Sequence, residues 1–399
     1  MKKNRREFLK DSLLAFPGTA ILTPLIFSPG KRKFLFNNIC GMPERTLGKT
    51  DLQLPVISMG TGDTDNPRLV QEAMNSGIRF FATSSYYGNG NNEKMLGKVF
   101  QSVRRDSYLI ATSATPLGIN HQDGLFVNPE AGKQYSKDID DSLIRLGLDY
   151  VDIVFLGFAA KRESVFFEPL LSAMQDLRKK GKTRYLGIAT HSFCDEALQA
   201  AADTGVYDLA MTAYNFMDKN NTKLNDAIAY AAGKGLGIVA MKTSAGAFWD
   251  KERKMPINTH AAIKWVLNNQ NITSVVSGMT SFDELKGNLT IPDNLNLSEQ
   301  ELRDLKFASG NNYPGLYCDQ CHGCISQCKF HADIPSYMRS YMYAFGYGNP
   351  AKARKLLELS GPPDIPCVTC PECNVNCSMG FDVAGKMKEL TSVTNIYPS

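Results

Sequence analysis

Residues 167–190, F-E-P-L-L-S-A-M-Q-D-L-R-K-K-G-K-T-R-Y-L-G-I-A-T, contain the helix-then-strand pattern that recurs along much of this chain. Leu170, Met174 and Leu177 recur with the period of one helix face, and Lys-Lys-Gly-Lys (residues 179–182) is typical of a helix C-terminus. The following residues, 183–190, have the apolar and β-branched character of a strand. The segment therefore predicts a helix over 167–182 that is followed directly by a strand.

The same alternation of strand and helix extends over residues 45–309. The predicted strands are Leu54–Met59, Arg79–Ser84, Tyr108–Ser113, Val151–Phe158, Thr183–Thr190, Leu209–Tyr214, Ile238–Thr243 and Thr273–Gly278. Eight such units match a (β/α)8 TIM barrel in number and length, whereas a doubly wound open sheet, the alternative α/β fold, does not require eight repeats. In a barrel, the residues that follow each strand form the active face.

Eight of the ten cysteines form two copies of the spacing C-x2-C-x2-C-x3-C. They are Cys318, Cys321, Cys324 and Cys328, followed by Cys367, Cys370, Cys373 and Cys377. Bacterial ferredoxins bind iron-sulfur clusters with this spacing, so we predict two [4Fe-4S] clusters in a ferredoxin-type domain over residues 310–399. Zinc and disulfides are the alternatives, although zinc ribbons seldom need the third and fourth cysteines at these intervals. The spacing does not decide which fourth cysteine serves which cluster.

The segment between the two cysteine groups, residues 334–359, is rich in Tyr, Met, Leu and Lys. Its pattern predicts two short helices that are interrupted around Gly346–Pro350. We therefore expect a small, mainly helical iron-sulfur domain rather than a compact symmetric ferredoxin.

The N-terminal segment, residues 1–35, has the features of an export signal. Arg5 and Arg6 are followed by an uncharged apolar run, residues 13–27, and by a basic patch at residues 31–33. This arrangement resembles a twin-arginine signal, and the run is shorter than the roughly 20 residues that span a bilayer. We predict a periplasmic protein, or one tethered to the membrane and facing the periplasm if the segment is retained. An ordinary amphipathic helix is the alternative.

The composition agrees with a soluble globular protein of one large and one small domain. The chain has 399 residues, of which 43% are hydrophobic and 21% are charged, and its net charge is +4. So small a net charge argues against a nucleic-acid partner.

Several motifs together resemble the aldo/keto reductase family. They are R-T-L-G-K-T-D-L (45–52), G-I-R-F-F-A-T-S-S-Y-Y-G-N-G-N-N-E-K-M-L-G (77–97), S-L-I-R-L-G-L-D-Y-V-D-I (142–153), G-K-T-R-Y-L-G-I-A-T-H-S (181–192) and S-G-M-T-S-F-D-E-L-K-G-N-L (277–289). The cysteine-rich tail is similar to that of one branch of this family, which carries a ferredoxin-type domain. The resemblance implies a TIM barrel over residues 45–309 and an oxidoreductase.

The resemblance also implies a set of four catalytic residues, of which this chain retains one. The family reduces carbonyls with NADPH and uses a tyrosine as proton donor, with an aspartate, a lysine and a histidine beside it. Tyr87 occupies the tyrosine position, whereas Ala82, Ser113 and Gly157 occupy the other three. A phenol without a neighbouring cation is a poor proton donor at neutral pH. Conventional NADPH-dependent carbonyl reduction is therefore disfavoured.

Other residues on the active face are candidates to replace the missing groups. We predict that Tyr87, His191 and Lys242 are catalytic, with Asp63 in the loop after the first strand as a further member of the set. The alternative for each is structural, since a single histidine is more often a hydrogen-bonded structural residue and a loop aspartate is usually a turn or cap residue.

The segment after the eighth strand is where the family binds the adenosine phosphate of its cofactor. The candidate cofactor-binding residues by this resemblance are Gly278, Thr280, Ser281 and Asn288. Glu284 occupies the position of a basic or amide residue, where a carboxylate would repel a 2′-phosphate. This weakens the prediction of NADPH, and leaves NAD(H), another ligand or no nucleotide as alternatives.

These features together predict an exported iron-sulfur oxidoreductase that transfers electrons through two [4Fe-4S] clusters. Its partners would be a small-molecule substrate at the barrel mouth and an unidentified redox protein. One alternative is a non-catalytic electron-transfer or partner-binding protein whose barrel is a scaffold. The second is an NAD(P)H-dependent aldo/keto reductase, although nicotinamide transfers two electrons as hydride and a cluster accepts one.

Overall fold

The computed structural model describes residues 41–120, 123–218, 221–246, 255–310, 315–360, 367 and 370–394. The predicted twin-arginine segment, residues 1–35, lies outside these residues. Within them, no helix is both long enough and apolar enough to cross a membrane.

Eight parallel strands close into a barrel, which confirms the predicted TIM barrel and excludes the open sheet. The barrel strands are β3 (Ile57–Gly60), β4 (Phe80–Ala82), β5 (Leu109–Ala114), β8 (Val151–Gly157), β9 (Thr183–Thr190), β10 (Leu209–Ala213), β11 (Gly237–Met241) and β12 (Ile272–Gly278). Each strand pairs with the next along the chain, and β12 pairs with β3 from Val275↔Ile57 to Gly278↔Gly60 to close the barrel. All eight strands therefore end on the same face of the molecule.

The first barrel strand begins later than its sequence predicts. Residues Gln53–Pro55 form strand β2, which pairs antiparallel with β1 (Glu44–Thr46) in a hairpin outside the barrel sheet. Pro55 has no backbone N–H to donate within a central sheet, so the apolar run divides there and β3 begins at Ile57. A second hairpin, β6 (Ile119–Asn120) and β7 (Leu125–Phe126), lies in the connection after β5.

Helices cover the outside of the barrel. They are α1 (Pro67–Asn75), α2 (Asn91–Phe100), α3 (Ala131–Leu146), α4 (Arg162–Val165), α5 (Glu168–Lys179), α6 (Cys194–Thr204), α7 (Asn221–Gly233), α8 (Thr259–Leu267), α9 (Phe282–Thr290) and α10 (Glu299–Gly310). Short 3-10 segments occur at Tyr87–Gly90, Arg105–Ser107 and Ile291–Asp293. Helix α5 is shorter than predicted because Pro169 lies at its start and Gly181, at φ +71°, follows its C-cap.

The C-terminal region is mainly helical, as the sequence predicts. Helix α11 (Ile334–Tyr341) continues into a π-helical turn (Met342–Gly346), which precedes α12 (Pro350–Ser360), and α13 (Val383–Thr394) ends the region. Side chains of these helices, including Tyr337, Met338 and Leu356, share one hydrophobic cluster with Ala261 and Ala262 of α8. The cluster-binding domain and the barrel thus pack against each other through a common core.

A pair of glycines allows a close approach between the two parts of the chain. A Cβ atom added at Gly346 would lie 2.7 Å from the carbonyl oxygen of Gly246, in the loop after β11. Only glycine allows the π-helical turn to come this close to the barrel backbone. This contact fixes the C-terminal domain over the carboxyl ends of the strands.

Candidate functional site

A cavity of about 680 Å³ opens at the carboxyl ends of the barrel strands. Strand-end residues form one wall, and the C-terminal domain contributes Arg339, Tyr343, Tyr347, Lys352 and Leu356 to the opposite wall. The volume lies within the range of small-molecule sites, and this face is where TIM barrels carry their chemistry. The cavity is therefore the candidate active site, and both domains build it.

Tyr87 lies in this cavity, in the 3-10 segment that follows β4. Its ring packs against Gly62, where an added Cβ atom would lie 2.7 Å from the ring. Burial raises the pKa of the Tyr87 hydroxyl, and the nearby charge of Lys352, whose Nζ is 5.1 Å from the ring centroid, offsets this only in part. Tyr87 is consequently a weak proton donor in this environment.

The three positions where the sequence resemblance implies catalytic groups also line the cavity. Ala82 and Gly157 are the last residues of β4 and β8, and Ser113 is the second-last residue of β5, which lies between them. Ser113 donates a hydrogen bond to the Oγ of Ser84 at 3.0 Å, and a Cβ atom at Gly157 would lie 3.7 Å from the Ser113 Oγ. This part of the barrel wall carries hydroxyl and small groups and no ionisable side chain at these positions.

Lys352, which the sequence reasoning missed, supplies a cation near Tyr87. It lies in the first turn of α12, and its Nζ is 2.9 Å from Asp63, 289 positions earlier in the chain. Asn349 donates a second hydrogen bond to Asp63 at 3.0 Å and accepts one from the Lys352 backbone N–H. The ion pair thus joins the loop after β3 to the cluster-binding domain.

The pKa values of this pair favour the charged forms. Burial alone would raise the pKa of Asp63, but the charges of Lys352 and Lys242 and the hydrogen bonds hold it below its usual value. Burial likewise opposes the charge on Lys352, yet Asp63 and the two tyrosines Tyr87 and Tyr343 raise its pKa. We expect both groups to be ionised at neutral pH.

Lys242 and Tyr343 form a second pair across the same interface. Lys242 follows β11 directly, at φ +59°, and its ammonium group is hydrogen-bonded to the Tyr343 hydroxyl and lies 4.4 Å from that ring's centroid. Burial would raise the pKa of Tyr343, but the charges of Lys242, Lys352 and Arg339 outweigh it, so this pKa is lowered. Burial lowers the pKa of Lys242. Tyr343, which the sequence reasoning also missed, is a better proton donor than Tyr87.

His191 follows β9 and lines the cavity next to Arg339 of α11. Within the described residues, the His191 Nδ1 atom is buried and has no hydrogen-bond partner. Burial and the charges of Arg339, Lys242 and Lys352 hold the pKa of His191 well below its usual value. The imidazole is therefore neutral and offers a free ring nitrogen to a ligand.

The predicted cofactor-binding residues lie at the opposite end of the cavity. Gly278, Thr280 and Asn288 line it, whereas Ser281 is the N-cap of α9 and accepts a hydrogen bond from the Glu284 N–H at 3.1 Å. The Glu284 carboxylate in turn accepts hydrogen bonds from the N–H and hydroxyl of Thr280, at 2.7 and 3.0 Å. The Glu284 carboxylate thus lies at the helix N-terminus, where a phosphate group would otherwise bind.

The cysteines of the two motifs are brought together in crossed sets of four. Cys318, Cys321 and Cys324 of the first motif line one cavity of about 70 Å³ with Cys377 of the second. In the other set, burial and the neighbouring thiols of Cys328, Cys373 and Cys370 raise the pKa of Cys367 to about 11. The fourth cysteine of each motif thus lies with the first three of the other, as in two-cluster ferredoxins.

The donor chemistry of both sets fits [4Fe-4S] clusters. Each set offers four thiols, and burial raises the pKa of Cys318 and that of Cys324, the latter to about 12. A buried thiol becomes a thiolate only when a positive charge compensates it, and cluster iron supplies that charge. The tertiary arrangement therefore answers the question of ligand pairing that the spacing left open.

A third, small cavity connects the thiol sites to the barrel. Cys318 lines it together with His191, Lys242 and Arg339, all three of which also line the large cavity. A cluster held by Cys318 would therefore lie one layer of side chains from the candidate active site.

Comparison with protein families agrees with both parts of the structure. A model described as the aldo/keto reductase family matches residues 59–261, and one described as a 4Fe-4S dicluster domain matches residues 317–382. The second match includes all eight cysteines of the two motifs.

Individual relatives match about two thirds of this chain. L-galactose dehydrogenase from Arabidopsis thaliana is 27% identical over 310 residues, which are 66% of this chain and 92% of the relative. NADH-specific methylglyoxal reductase from Escherichia coli is 22% identical and covers 65% of this chain and 96% of its own. The solved holo form of an aldo-keto reductase from Bacillus halodurans has a TM-score of 0.55 at 21% identity, and covers 67% of this chain and 96% of that chain. The structural likeness supports the fold.

Proposed function

This chain belongs to the aldo/keto reductase family, and we propose that it is an exported iron-sulfur oxidoreductase whose two [4Fe-4S] clusters exchange electrons with a small molecule at the barrel mouth. The observation that carries this proposal is the small cavity that Cys318 shares with His191, Lys242 and Arg339. It brings a cluster ligand next to residues of the candidate active site. The twin arginines and the apolar run near the N-terminus support export.

When bound, each [4Fe-4S] cluster would accept or supply one electron, so two clusters would carry the two electrons of an alcohol-carbonyl conversion, and its two protons would be exchanged with a cavity side chain at oxygen and with water at carbon. The crossed sets of four cysteines would hold the clusters. Helices α11 and α8 contribute to one hydrophobic cluster, against which Cys318 and Cys324 also pack, so this cluster positions the first set relative to the barrel.

Tyr343 exchanges the proton of the substrate oxygen in this proposal. Its hydroxyl faces the cavity, and the ammonium group of Lys242 stabilises the phenolate that forms when the proton leaves. The ammonium group of Lys352, which is paired with Asp63, lies 4.8 Å from the Tyr343 ring centroid. These residues would replace the aspartate and lysine that the family places at positions 82 and 113.

The names of the barrel relatives support a small carbonyl or sugar-like substrate. One relative is named for L-galactose and another for methylglyoxal. A cavity of about 680 Å³ accommodates compounds of this size together with part of a larger cofactor.

A second candidate function is NADH-dependent reduction or oxidation in the same cavity. The observation that favours it is the continuity of the cavity from Tyr343 to Gly278, Thr280 and Asn288 at the end of β12. The Glu284 carboxylate at the N-terminus of α9 favours NADH over NADPH because it repels a 2′-phosphate. One relative is also named as NADH-specific.

The deciding experiment is titration of the anaerobically purified mature protein with NADH and NADPH by calorimetry, with cluster absorbance followed in parallel. Binding of NADH with bleaching of the clusters would support an enzyme that couples nicotinamide to the clusters. Binding without bleaching would favour the second candidate. If neither nucleotide binds, reduction by dithionite followed by reoxidation with candidate carbonyl compounds tests the first function directly, and a complete lack of reoxidation would contradict it.

Export is tested separately. Replacement of Arg5 and Arg6 by lysine should leave the protein in the cytoplasm, because twin-arginine transport depends on that pair. Arg104→Lys, at a surface position of the barrel, is the matched control. Unchanged export of the double variant would remove this part of the proposal.

A further inference from the structure

We infer that the barrel mouth binds the anionic group of its substrate, a carboxylate or a phosphate, through Arg339 with His191 and Lys242 beside it. This inference adds a substrate class to the proposed function. It rests on the proposed function in one respect, which is that the bound anion is taken to be the substrate. It is carried by the contacts of Arg339 and by the charge balance of the cavity.

Arg339 is a buried cation without a carboxylate partner in the described part of the chain. It is 8% exposed, and its hydrogen bond there is to the Oγ of Ser336, one turn earlier in α11, at 3.4 Å. Asp333, the N-cap of the same helix, interacts with the charge of Arg339 but forms no ion pair with it within 4.0 Å. A guanidinium group has five N–H donors, so most of them remain available to a ligand.

Arg339 lies at the candidate active site. It lines the large cavity, the small cavity that it shares with Cys318, and another small cavity beside Phe158. His191 lines all three as well, and its buried Nδ1 has no hydrogen-bond partner among the described residues. Lys242 lines two of them. Three groups that donate or accept hydrogen bonds thus converge on one space.

Among the described side chains that line the cavity, positive charges outnumber the negative charges that neutralise them. Lys352 is neutralised by Asp63 at 2.9 Å, and ionisation of Tyr343 would neutralise Lys242. Asp283 and Glu284 are exposed at the rim, where Glu284 is already hydrogen-bonded to Thr280. Arg339 cannot lose its proton, and the negative charge of a cluster held by Cys318 would lie across the small cavity without a hydrogen bond to Arg339 among the described residues. An anion in the large cavity beside Arg339 would bind the N–H donors that remain unpaired.

The local geometry selects the kind of anion. The planar guanidinium group binds the two oxygens of a carboxylate or phosphate in parallel, which a single ammonium group does not. The backbone at Lys242 adopts φ +59°, an unfavourable conformation for a side chain other than glycine, and functional sites commonly retain such strain. It directs Lys242 into the same cavity as Arg339.

The experiment uses the mature, cluster-loaded protein in its oxidised form, without nicotinamide, so that no electron transfer is required. Calorimetry measures the binding of pyruvate, oxalate and inorganic phosphate, with methyl pyruvate as the uncharged match for pyruvate. We expect saturable binding of at least one anion and none of the ester. Carboxylate-only and phosphate-only binding would each support the inference and would identify which group the substrate carries.

Variants then locate the site. Arg339→Met should weaken anion binding by about tenfold to a hundredfold, the effect of losing hydrogen bonds to a charged group. Arg339→Lys should be intermediate because it keeps the charge and loses the planar fork. The control is Lys355→Met, which removes a cation paired with Glu358 at 3.3 Å and should not change binding.

Three results would overturn the inference: no anion binds the wild-type protein, the ester binds as tightly as pyruvate, or Arg339→Met binds normally. If Arg339→Met does not fold, as judged by cluster absorbance, His191→Leu takes its place in the comparison. Failure of the proposed function is seen separately, as clusters that no substrate reoxidises while anions still bind.

Discussion

The two walls of the active-site cavity differ in chemistry. The barrel wall has Ala82, Ser113 and Gly157 at the ends of three neighbouring strands, whereas the wall from the cluster-binding domain carries Arg339, Tyr343 and Lys352. In the function that we propose, the acid-base and binding groups therefore come largely from the cluster-binding domain. The barrel retains Asp63, His191 and Lys242, each of which interacts with charged groups of the opposite wall.

Loss of a cluster should be the largest effect, because it removes the domain's electron carrier. Cys321→Ser and Cys377→Ser should each lower bound iron by about one cluster and should abolish the same EPR signal. Cys370→Ser and Cys328→Ser should abolish the other signal. The control is Cys194→Ser, at a half-buried cysteine of α6 outside both motifs. Unchanged iron, or pairing of Cys321 with Cys328 instead, would contradict the crossed assignment.

The ion pair between Lys352 and Asp63 joins the two walls, and its removal should destabilise the folded protein. Lys352→Met leaves the buried Asp63 carboxylate without its cation and should lower the free energy of unfolding by about 3–5 kcal/mol. Denaturant unfolding measures this, and the double variant Asp63→Asn/Lys352→Met should recover part of the loss. Equal stability of the single variant and the wild type would mean that the pair does not join the walls.

The same pair predicts a pH dependence. The pKa of Asp63 is lowered in the folded protein, so its contribution to stability is present above the carboxyl's unfolded pKa of about 3.9. That contribution should disappear as pH falls through the lowered value. Unfolding measured across the acidic range should show this loss in the wild type and not in Asp63→Asn.

Titration of the tyrosines tests which wall supplies the proton donor, Tyr343 from the cluster-binding domain or Tyr87 from the barrel. Its lowered pKa should make it one of the first of the 16 tyrosines to ionise in an ultraviolet titration. Tyr343→Phe should remove that early step and slow substrate-dependent cluster oxidation about a hundredfold, whereas Tyr87→Phe should keep the step. Lys242→Met should move the step to higher pH. If the early step depends on Tyr87 instead, the proton donor would lie on the barrel wall and not on the wall from the cluster-binding domain.

The smallest expected effect concerns the fit of the walls. Gly346→Ala should cost about 1–3 kcal/mol, because its Cβ atom would lie 2.7 Å from the Gly246 carbonyl oxygen. Gly233→Ala, where no atom lies within 4 Å of the added group, is the control for unfolding measurements. Equal behaviour of the two variants would show that the glycine contact does not limit docking.

Local patterns were sufficient to predict the barrel and the iron-sulfur motifs. Strand β9 has the predicted bounds, Thr183–Thr190, because strand and helix periods are recorded within a few consecutive residues. Cysteine spacing is equally local, since three ligands of one cluster lie within seven positions. The first barrel strand begins later than predicted because residues 53–55 pair with β1 instead of with the barrel sheet. The apolar run does not show which partner its residues pair with.

The sequence by itself determined the fold class, the oxidoreductase family and the ligand types, since each depends on residues that are close together along the chain. Only the tertiary structure decided which fourth cysteine joins which set, and that Lys352, Tyr343 and Arg339 complete the cavity. Lys352 is 289 positions from Asp63, and nothing in either local sequence indicates the other. Charges that are distant along the chain acquire shifted pKa values and partners only when packing removes water from between them and brings them together.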